Sequence, residues 1–171
     1  ETIAKACASQ EVARFVHISA LGIDICESHY AQTKREGEQA VRDNFPDSTI
    51  LRPSVVFGPE DKFFNMFAEL ARYLPAFPLI GGGKTRFQPV FVGDVADAVI
   101  AGLSLPDTDE KSPCGRTYEL GGPEIIDFRG IYKKLFHYTC RKRLLVPVPW
   151  SIAKLQGALL GILPDPLLTV D

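Results

Sequence analysis

Tyr30 and Lys34 are four residues apart in the segment SHYAQTKREGEQAV, residues 28–41. In a helix this spacing places both side chains on one face, within reach of a shared ligand. A phenol is a weak acid at neutral pH, and a neighbouring ammonium group favours its ionised form, so the pair would be able to transfer a proton. The alternative is that both are surface residues of a charged helix, because chance produces this spacing easily. A second such pair, Tyr138 and Lys142 in YTCRK, illustrates the point.

The sequence on either side of Tyr30 and Lys34 distinguishes this pair from the second one. A short apolar run, VARFVHIS, ends in Ser19, and another run that contains RPSVVFG follows the charged helix. Because the carboxyl ends of parallel strands meet at one edge of a sheet, we expect the three side chains to lie near each other. Ser19 would hydrogen-bond a substrate oxygen, Tyr30 would transfer the proton that accompanies hydride transfer, and Lys34 would also bind the ribose of a nicotinamide cofactor. Tyr138 lacks such flanking strands and is interpreted as part of a solvated helix face.

Short apolar segments alternate with helical segments along the chain. Strands are predicted at residues 12–19, 49–59, 116–122 and 143–149, and helices at residues 30–44, 63–74, 94–103, 128–139 and 151–163. Asp94 is expected to be an N-cap. The stretch LPAFPLIGGGKTRFQP, residues 74–89, is interpreted as irregular, with GGGK as a flexible loop. The alternation predicts an α/β protein whose parallel sheet is covered by helices on both faces.

The composition is that of a globular protein, with 171 residues of which 46% are apolar and 23% are charged. The chain has no signal peptide and no run of about 18 apolar residues that could span a bilayer, which predicts a soluble protein. It also lacks an initiator Met, and we expect it to be a piece of a longer protein. The cysteines are too far apart for a zinc site or a disulfide framework, which predicts reduced thiols, a reducing compartment and no metal site.

The net charge is only −2, but the basic residues are unevenly distributed. Residues 129–154, called the basic segment below, contain seven cations and no acid: Arg129, Lys133, Lys134, Arg141, Lys142, Arg143 and Lys154. Together with the apolar helix predicted at 151–163, this segment suits an anionic membrane surface or the arm of a membrane complex. The alternative is that the helix belongs to the core of a second lobe. Nucleic acid is not expected as a partner, because the cations come without a recognised binding module.

The order of these motifs resembles the extended short-chain dehydrogenase/reductase family. A strand that ends in Ser, the pattern Y-x-x-x-K followed by GE, then ILRPSVVFGP and PVFVGDVADAV occur with the order and spacing of that family over residues 11–122. The resemblance implies that Ser19, Tyr30 and Lys34 form a catalytic triad and that NADPH or NADH is the cofactor. It also implies that the nicotinamide carboxamide contacts the segment Pro53, Ser54, Val55 and Val56.

The glycine-rich turn that holds a dinucleotide pyrophosphate is absent, because the sequence contains no G-x-G-x-x-G motif. The chain therefore resembles the C-terminal portion of a Rossmann-type fold with part of a small substrate lobe. The resemblance implies a partial NAD(P)-binding domain at residues 1–58 and 87–122, and a partial substrate lobe at residues 59–86 and 123–171. A piece of this kind leaves a strand edge unpaired, so we expect the isolated chain to self-associate.

Within the family, the segments VARFVHISALG, GPEDKFFNMFAELAR and LLVPVPWSIAKL are similar to a branch of NADPH-binding accessory subunits of respiratory complex I and its bacterial relatives. This similarity implies a stabilising or assembly role in NADH:ubiquinone oxidoreductase, with complex I subunits as partners and without assured turnover. It also implies a location in the mitochondrial matrix or on the cytoplasmic face of the bacterial inner membrane. The alternative is an active NAD(P)-dependent sugar-nucleotide epimerase, dehydratase or reductase, since the triad is retained. Against it, only Lys84 and Arg86 offer charge for a diphosphate before the basic segment.

Overall fold

The structure, a computed structural model, describes residues 1–104 and 112–151 of the chain. The described helices are α1 (Thr2–Ser9), α2 (His29–Asn44), α3 (Phe63–Tyr73), α4 (Val92–Ser104) and α5 (Phe128–Tyr138). The described strands are β1 (Val16–Ile18), β2 (Thr49–Pro53), β3 (Val56–Phe57), β4 (Ala76–Ile80), β5 (Arg86–Phe87), β6 (Val90–Phe91), β7 (Thr117–Leu120), β8 (Ile126–Asp127) and β9 (Leu144–Val148).

The chain divides into two units. The first is formed by Glu1–Gly58 and Pro89–Pro123, and the second by Pro59–Gln88 and the chain from Glu124 onward. The assignment of the first unit to dinucleotide binding and of the second to a substrate lobe remains a prediction.

The first unit contains a parallel sheet in the order β1-β2-β7, with Ile18 opposite Leu51 and Pro53 opposite Leu120. Strand β2 is buried along nearly its whole length, which is typical of a parallel strand with both faces covered. Helix α4 packs so closely on one face that a Cβ atom at Gly102 would lie 2.9 Å from Val16 Cγ2. The predicted α/β class with a parallel sheet is confirmed. A further parallel pair, β3 with β6, belongs to the same unit.

Helix α2 covers the opposite face of this sheet, and its sequence explains where it begins and what it buries. Ser28 is the N-cap, and its hydroxyl accepts a hydrogen bond of 3.2 Å from the Ala31 amide. The buried residues Ala31, Glu38 and Val41 recur at helical spacing. The predicted helix over 30–44 is therefore confirmed, with one additional residue at its start.

The second unit contains two small pairs of strands, β4 with β9 in parallel and β5 with β8 antiparallel. Its core is aromatic: Phe77, Tyr132 and Phe136 are buried, and the ring centroids of Phe77 and Tyr132 lie 5.1 Å apart. The prediction of an irregular stretch over 74–89 was wrong, because β4 lies within it. Pro78 in the middle of β4 obscured the strand. It is exposed, and among the described strands β4 pairs with β9 alone, so the missing N–H of Pro78 is tolerated.

Three further predictions concern Asp94, the GGGK segment and the last predicted helix. Helix α4 begins at Val92, so Asp94 is not the N-cap but lies in the first turn, where its charge favours the helix dipole. The glycines of GGGK form a tight turn with positive φ at all three positions, which explains the choice of glycine. The helix predicted at 151–163 lies almost entirely outside the described residues. Across 1–104 and 112–151, no helix combines the length and the apolar character needed to cross a bilayer.

Candidate functional site

The carboxyl ends of β1, β2 and β7 form one edge of the sheet, and backbone hydrogen bonds continue past the strand ends. The Ser19 amide donates to the Leu51 carbonyl at 2.7 Å, and the Ser54 amide donates to the Leu120 carbonyl at 2.8 Å. This places Ser19 and the start of the predicted carboxamide segment at the edge where ligands bind in open parallel sheets. We call it the ligand edge.

Tyr30 and Lys34 share a face of α2, as the four-residue spacing predicted. Tyr30 is the second residue of the helix, and its side chain is largely exposed. The Lys34 ammonium nitrogen lies 5.7 Å from the centroid of the Tyr30 ring, a cation–π distance. The other pair does not share a helix face, because Tyr138 is the last residue of α5 and Lys142 lies beyond its end.

Ser19 follows β1 directly and is only 4% exposed. Its Oγ atom has no hydrogen-bond partner of good geometry among the described residues, nor does Nε2 of His17, two positions earlier in the chain. Residues two apart in a strand point to the same face, so both side chains are directed toward α2. Burial and the nearby Lys34 ammonium lower the pKa of His17. The Ser19 hydroxyl nevertheless lies close enough to the Glu38 carboxylate to lower its pKa, so its hydrogen can be directed to Glu38 or to a ligand at this edge.

The segment Pro53–Val56 leads from the end of β2 into β3. Pro53 is buried, and Ser54, Val55 and Val56 are partly buried. The Val55 carbonyl accepts a hydrogen bond of 3.0 Å from the Val90 amide, and Val56 lies opposite Val90 in the β3–β6 pair. The backbone of this segment is therefore held in place by the fold. Its predicted contact with a nicotinamide carboxamide stays a prediction.

An ion-pair network that the sequence did not predict joins α2, β2 and the loop after β1. Glu38 of α2 is 1% exposed, and each of its carboxylate oxygens accepts a hydrogen bond of 2.8 Å from Arg52 of β2. Arg52 also pairs with Asp24 in the loop after β1, at 2.6 Å, and Arg42 approaches Glu38 at 3.2 Å. The spacing Lys34 to Glu38 could have indicated this carboxylate, since it extends the face of Tyr30 and Lys34 by one turn. Its partner is distant in sequence and left no local signal.

The network shifts the ionisation of both central groups. Burial alone would raise the pKa of the Glu38 carboxyl, but hydrogen bonds from Arg52 and Ser19, with the charges of Arg52 and Arg42, hold its pKa below the usual value. Hydrogen bonding to Glu38 raises the pKa of Arg52. Both groups are therefore ionised at neutral pH, and the buried carboxylate is fully compensated.

The candidate site has three members on two adjacent elements. Tyr30 is exposed and Lys34 partly exposed in the first turns of α2, and the buried Ser19 follows β1. That the Ser19 hydroxyl lies within reach of the other two side chains stays a prediction. Such a set can donate hydrogen bonds to hydroxyl or carbonyl oxygens and can move a proton at the Tyr30 oxygen. In the part of the chain that the structure describes, no group of three His, Cys, Asp or Glu side chains could hold a metal ion.

The chain is similar to known proteins in sequence and in fold. Residues 26–140 match the family described as RmlD substrate binding domain. The subunit named NADH dehydrogenase [ubiquinone] 1 alpha subcomplex subunit 9, mitochondrial, is 36% identical in Mus musculus, over 99% of this chain and 44% of that protein. In Arabidopsis thaliana the same-named subunit is 35% identical, over 86% of this chain and 36% of that protein. The chain thus spans less than half the length of these curated relatives.

A solved structure gives the same fold. UDP-glucuronic acid 4-epimerase from Bacillus cereus, in complex with UDP-glucuronic acid and NAD, superposes with a TM-score of 0.70 at 21% identity, covering 86% of this chain and 52% of the epimerase. At this identity the likeness concerns the fold alone. The predicted resemblance to the short-chain dehydrogenase/reductase type and to the complex I accessory branch is confirmed by these matches.

Proposed function

The chain belongs to the RmlD substrate binding domain family, and we propose a function for the complete protein. It would be a nicotinamide-dinucleotide-binding accessory or assembly subunit of NADH:ubiquinone oxidoreductase. The assembly is suggested by the relatives, which carry the name of such a subunit over nearly the whole of this chain. The cofactor is suggested by one observation above all: the Lys34 ammonium lies over the exposed Tyr30 ring at the ligand edge and forms no salt bridge among the described residues.

The residues at this edge fit NADPH or NADH. Lys34 has donors available for ribose hydroxyls, and the buried Ser19 hydroxyl would donate a hydrogen bond to a substrate or carboxamide oxygen. Pro53–Val56 would form the backbone against which the nicotinamide ring lies. Tyr30 would hold or release a proton at its phenolic oxygen. A bound nicotinamide would supply hydride chemistry, but the proposed role needs only its binding.

The second candidate is an active NAD(P)-dependent sugar-nucleotide epimerase, dehydratase or reductase. One observation favours it: Ser19, Tyr30 and Lys34 are all present and lie on the elements that would bring them to one edge. A protein that only retained its cofactor would not need the phenol. The two candidates therefore differ in what the Tyr30 hydroxyl does.

We further propose a mitochondrial location, on the matrix side, or the cytoplasmic face of the inner membrane in a bacterium. The proposal follows the mitochondrial names of the relatives. Complex I subunits are the proposed partners. Contact of the basic segment with a membrane surface stays a prediction, and Lys154 at its end lies outside the described residues.

The test uses the complete protein and four variants. Lys34→Met should weaken NADPH binding about 10- to 100-fold, since hydrogen bonds from a charged donor each contribute about 1.5–3 kcal/mol. Tyr30→Phe should leave NADPH affinity nearly unchanged. Lys142→Met and Tyr138→Phe are matched controls, because they change the other Tyr and Lys pair, whose side chains are both exposed. Calorimetric titration measures the affinity of each variant.

A second measurement separates the two candidate functions. Hydride exchange is assayed with carbonyl and sugar-nucleotide substrates before and after the Tyr30→Phe change. Turnover in the wild type that disappears in Tyr30→Phe would establish the enzyme and overturn the accessory role. A wild-type protein that binds neither NADPH nor NADH would overturn both candidates.

A further inference from the structure

A column of four long side chains runs along one face of α2 at four-residue intervals. It begins with Tyr30 and Lys34 at the ligand edge and continues with Glu38 and Arg42 toward the end of the helix. A carboxylate four residues from a lysine is its natural ion-pair partner on a helix. The sequence of α2 by itself therefore allows Glu38 to bind the Lys34 ammonium.

The structure shows a different pairing. Both oxygens of Glu38 accept hydrogen bonds from Arg52, from Nε at 2.8 Å and from a terminal nitrogen at 2.8 Å. Within residues 1–104 and 112–151, Lys34 has no carboxylate partner, and its ammonium lies over the Tyr30 ring. A planar guanidinium matches the two oxygens of a carboxylate better than an ammonium does, so Arg52 outcompetes Lys34 for Glu38.

We propose that Arg52 is a positioning residue for the cofactor-binding lysine: by occupying both oxygens of Glu38, it keeps the Lys34 ammonium unpaired beside Tyr30 at the ligand edge. The expected effect on dinucleotide affinity rests on the proposed function. The competition between Arg52 and Lys34 for the Glu38 carboxylate does not depend on that function. Without Arg52, the buried Glu38 carboxylate would keep only the weaker contact with Arg42, at 3.2 Å, and the Lys34 ammonium one helical turn away could bind the oxygen that is set free.

The test replaces Arg52 by Met in the complete protein, alone and together with Glu38→Gln. In crystals of Arg52→Met without cofactor, we expect Lys34 Nζ within 4 Å of a Glu38 oxygen. NADPH affinity should fall about 10- to 100-fold, as in Lys34→Met, because the ammonium is withdrawn from the ribose. The double variant offers Lys34 no carboxylate, so affinity should return to within about threefold of wild type. Affinities are compared at a temperature where every variant is folded by circular dichroism.

Arg42→Met is the matched control, since Arg42 contacts Glu38 more weakly, at 3.2 Å, and its removal leaves the pairing with Arg52 in place. It should bind NADPH like the wild type. If Arg52→Met does not fold, Arg52→Lys replaces it. A lysine keeps the charge but cannot bind both oxygens, so a partial loss of affinity, reversed by Glu38→Gln, is expected.

Two results would overturn the proposal. One is a crystal structure of the Arg52 variant in which Lys34 stays over Tyr30 and away from Glu38. The other is a folded double variant that binds NADPH as weakly as the Arg52 variant alone, which would show that Arg52 matters only for the structure. If the wild type binds no dinucleotide, the proposed function fails, and the crystal structure still decides whether Arg52 keeps Lys34 unpaired.

Discussion

Replacement of Glu38 by Gln should destabilise the complete protein by about 3 kcal/mol at pH 7. Removal of one partner from a buried ion pair costs about 3–5 kcal/mol, because the other charge remains buried. The lower end of this range applies to Glu38→Gln, since the Arg52 side chain is 12% exposed and would keep its ion pair with Asp24. With a urea dependence of about 2 kcal/mol/M, this loss would lower the denaturation midpoint by about 1.5 M.

The loss should depend on pH in a defined direction. The pKa of Glu38 is lowered in the folded state from its ordinary value of 4.5, so the ion pair stabilises the fold above that pH. As the pH falls through the lowered pKa, the carboxylate becomes protonated and the stabilisation disappears. Urea denaturation of wild type and Glu38→Gln should therefore differ by about 3 kcal/mol at pH 7 and pH 5, and by progressively less below pH 4.5.

A control on the same helix is Glu36→Gln. Glu36 is exposed and accepts a hydrogen bond of 2.9 Å from Gln32. An exposed pair of this kind is worth little, so the variant should stay within about 0.5 kcal/mol of wild type. A Glu38→Gln variant as stable as Glu36→Gln, or one whose loss of stability increased as the pH fell, would contradict the stabilising role of the buried ion pair.

Three other predictions concern stability and association. Burial and Lys34 lower the pKa of His17 from 6.5, so unfolding free energy should decrease as the pH falls below that value, and His17→Phe should flatten this dependence in urea titrations. Gly122→Ala should destabilise the protein, because the new Cβ would collide with the Pro89 carbonyl oxygen. Gly37→Ala in α2 meets open space and should stabilise the protein by about 0.5–1 kcal/mol. Thermal melts of the two variants should therefore shift in opposite directions. The 171-residue chain alone should self-associate in sedimentation experiments. Among the described strands β1 pairs with β2 alone, so Ile18→Lys, which places a charge on this edge strand, should reduce the association.

The elements that the sequence predicted well have local signals. Helix α2 has a Ser N-cap, a charged outer face and buried residues at helical spacing, and its ends agree with the prediction within one residue. Strand β2 is a short, mostly apolar run between turn residues, which indicates a buried parallel strand. The shared face of Tyr30 and Lys34 follows from the helix alone, so it could be predicted without knowledge of any partner element.

What the sequence did not predict depends on residues that are distant along the chain. Strand β4 exists because Phe77 and Leu79 pack into a core whose aromatic members Tyr132 and Phe136 follow more than fifty residues later. The pairing of Glu38 with Arg52 depends on α2 lying across β2, a contact that the periodicity of either element does not contain. Arg52 in an apolar strand was the available signal, because a charge inside a buried strand needs a partner.

One face of α2 carries both the proposed cofactor-binding side chains and the buried carboxylate that stabilises the fold, so a variant on this face can affect either property. Tyr30 at the start of this face is more than half exposed, and Glu38 two turns later is buried. Loss of NADPH binding in a Lys34 variant would report on the ligand edge directly, because this side chain pairs with no buried charge among the described residues. The same loss in an Arg52 variant would reflect either a weakened fold or a displaced Lys34. Only the Arg52 and Glu38 double variant, in which no buried charge remains unpaired, separates these two causes.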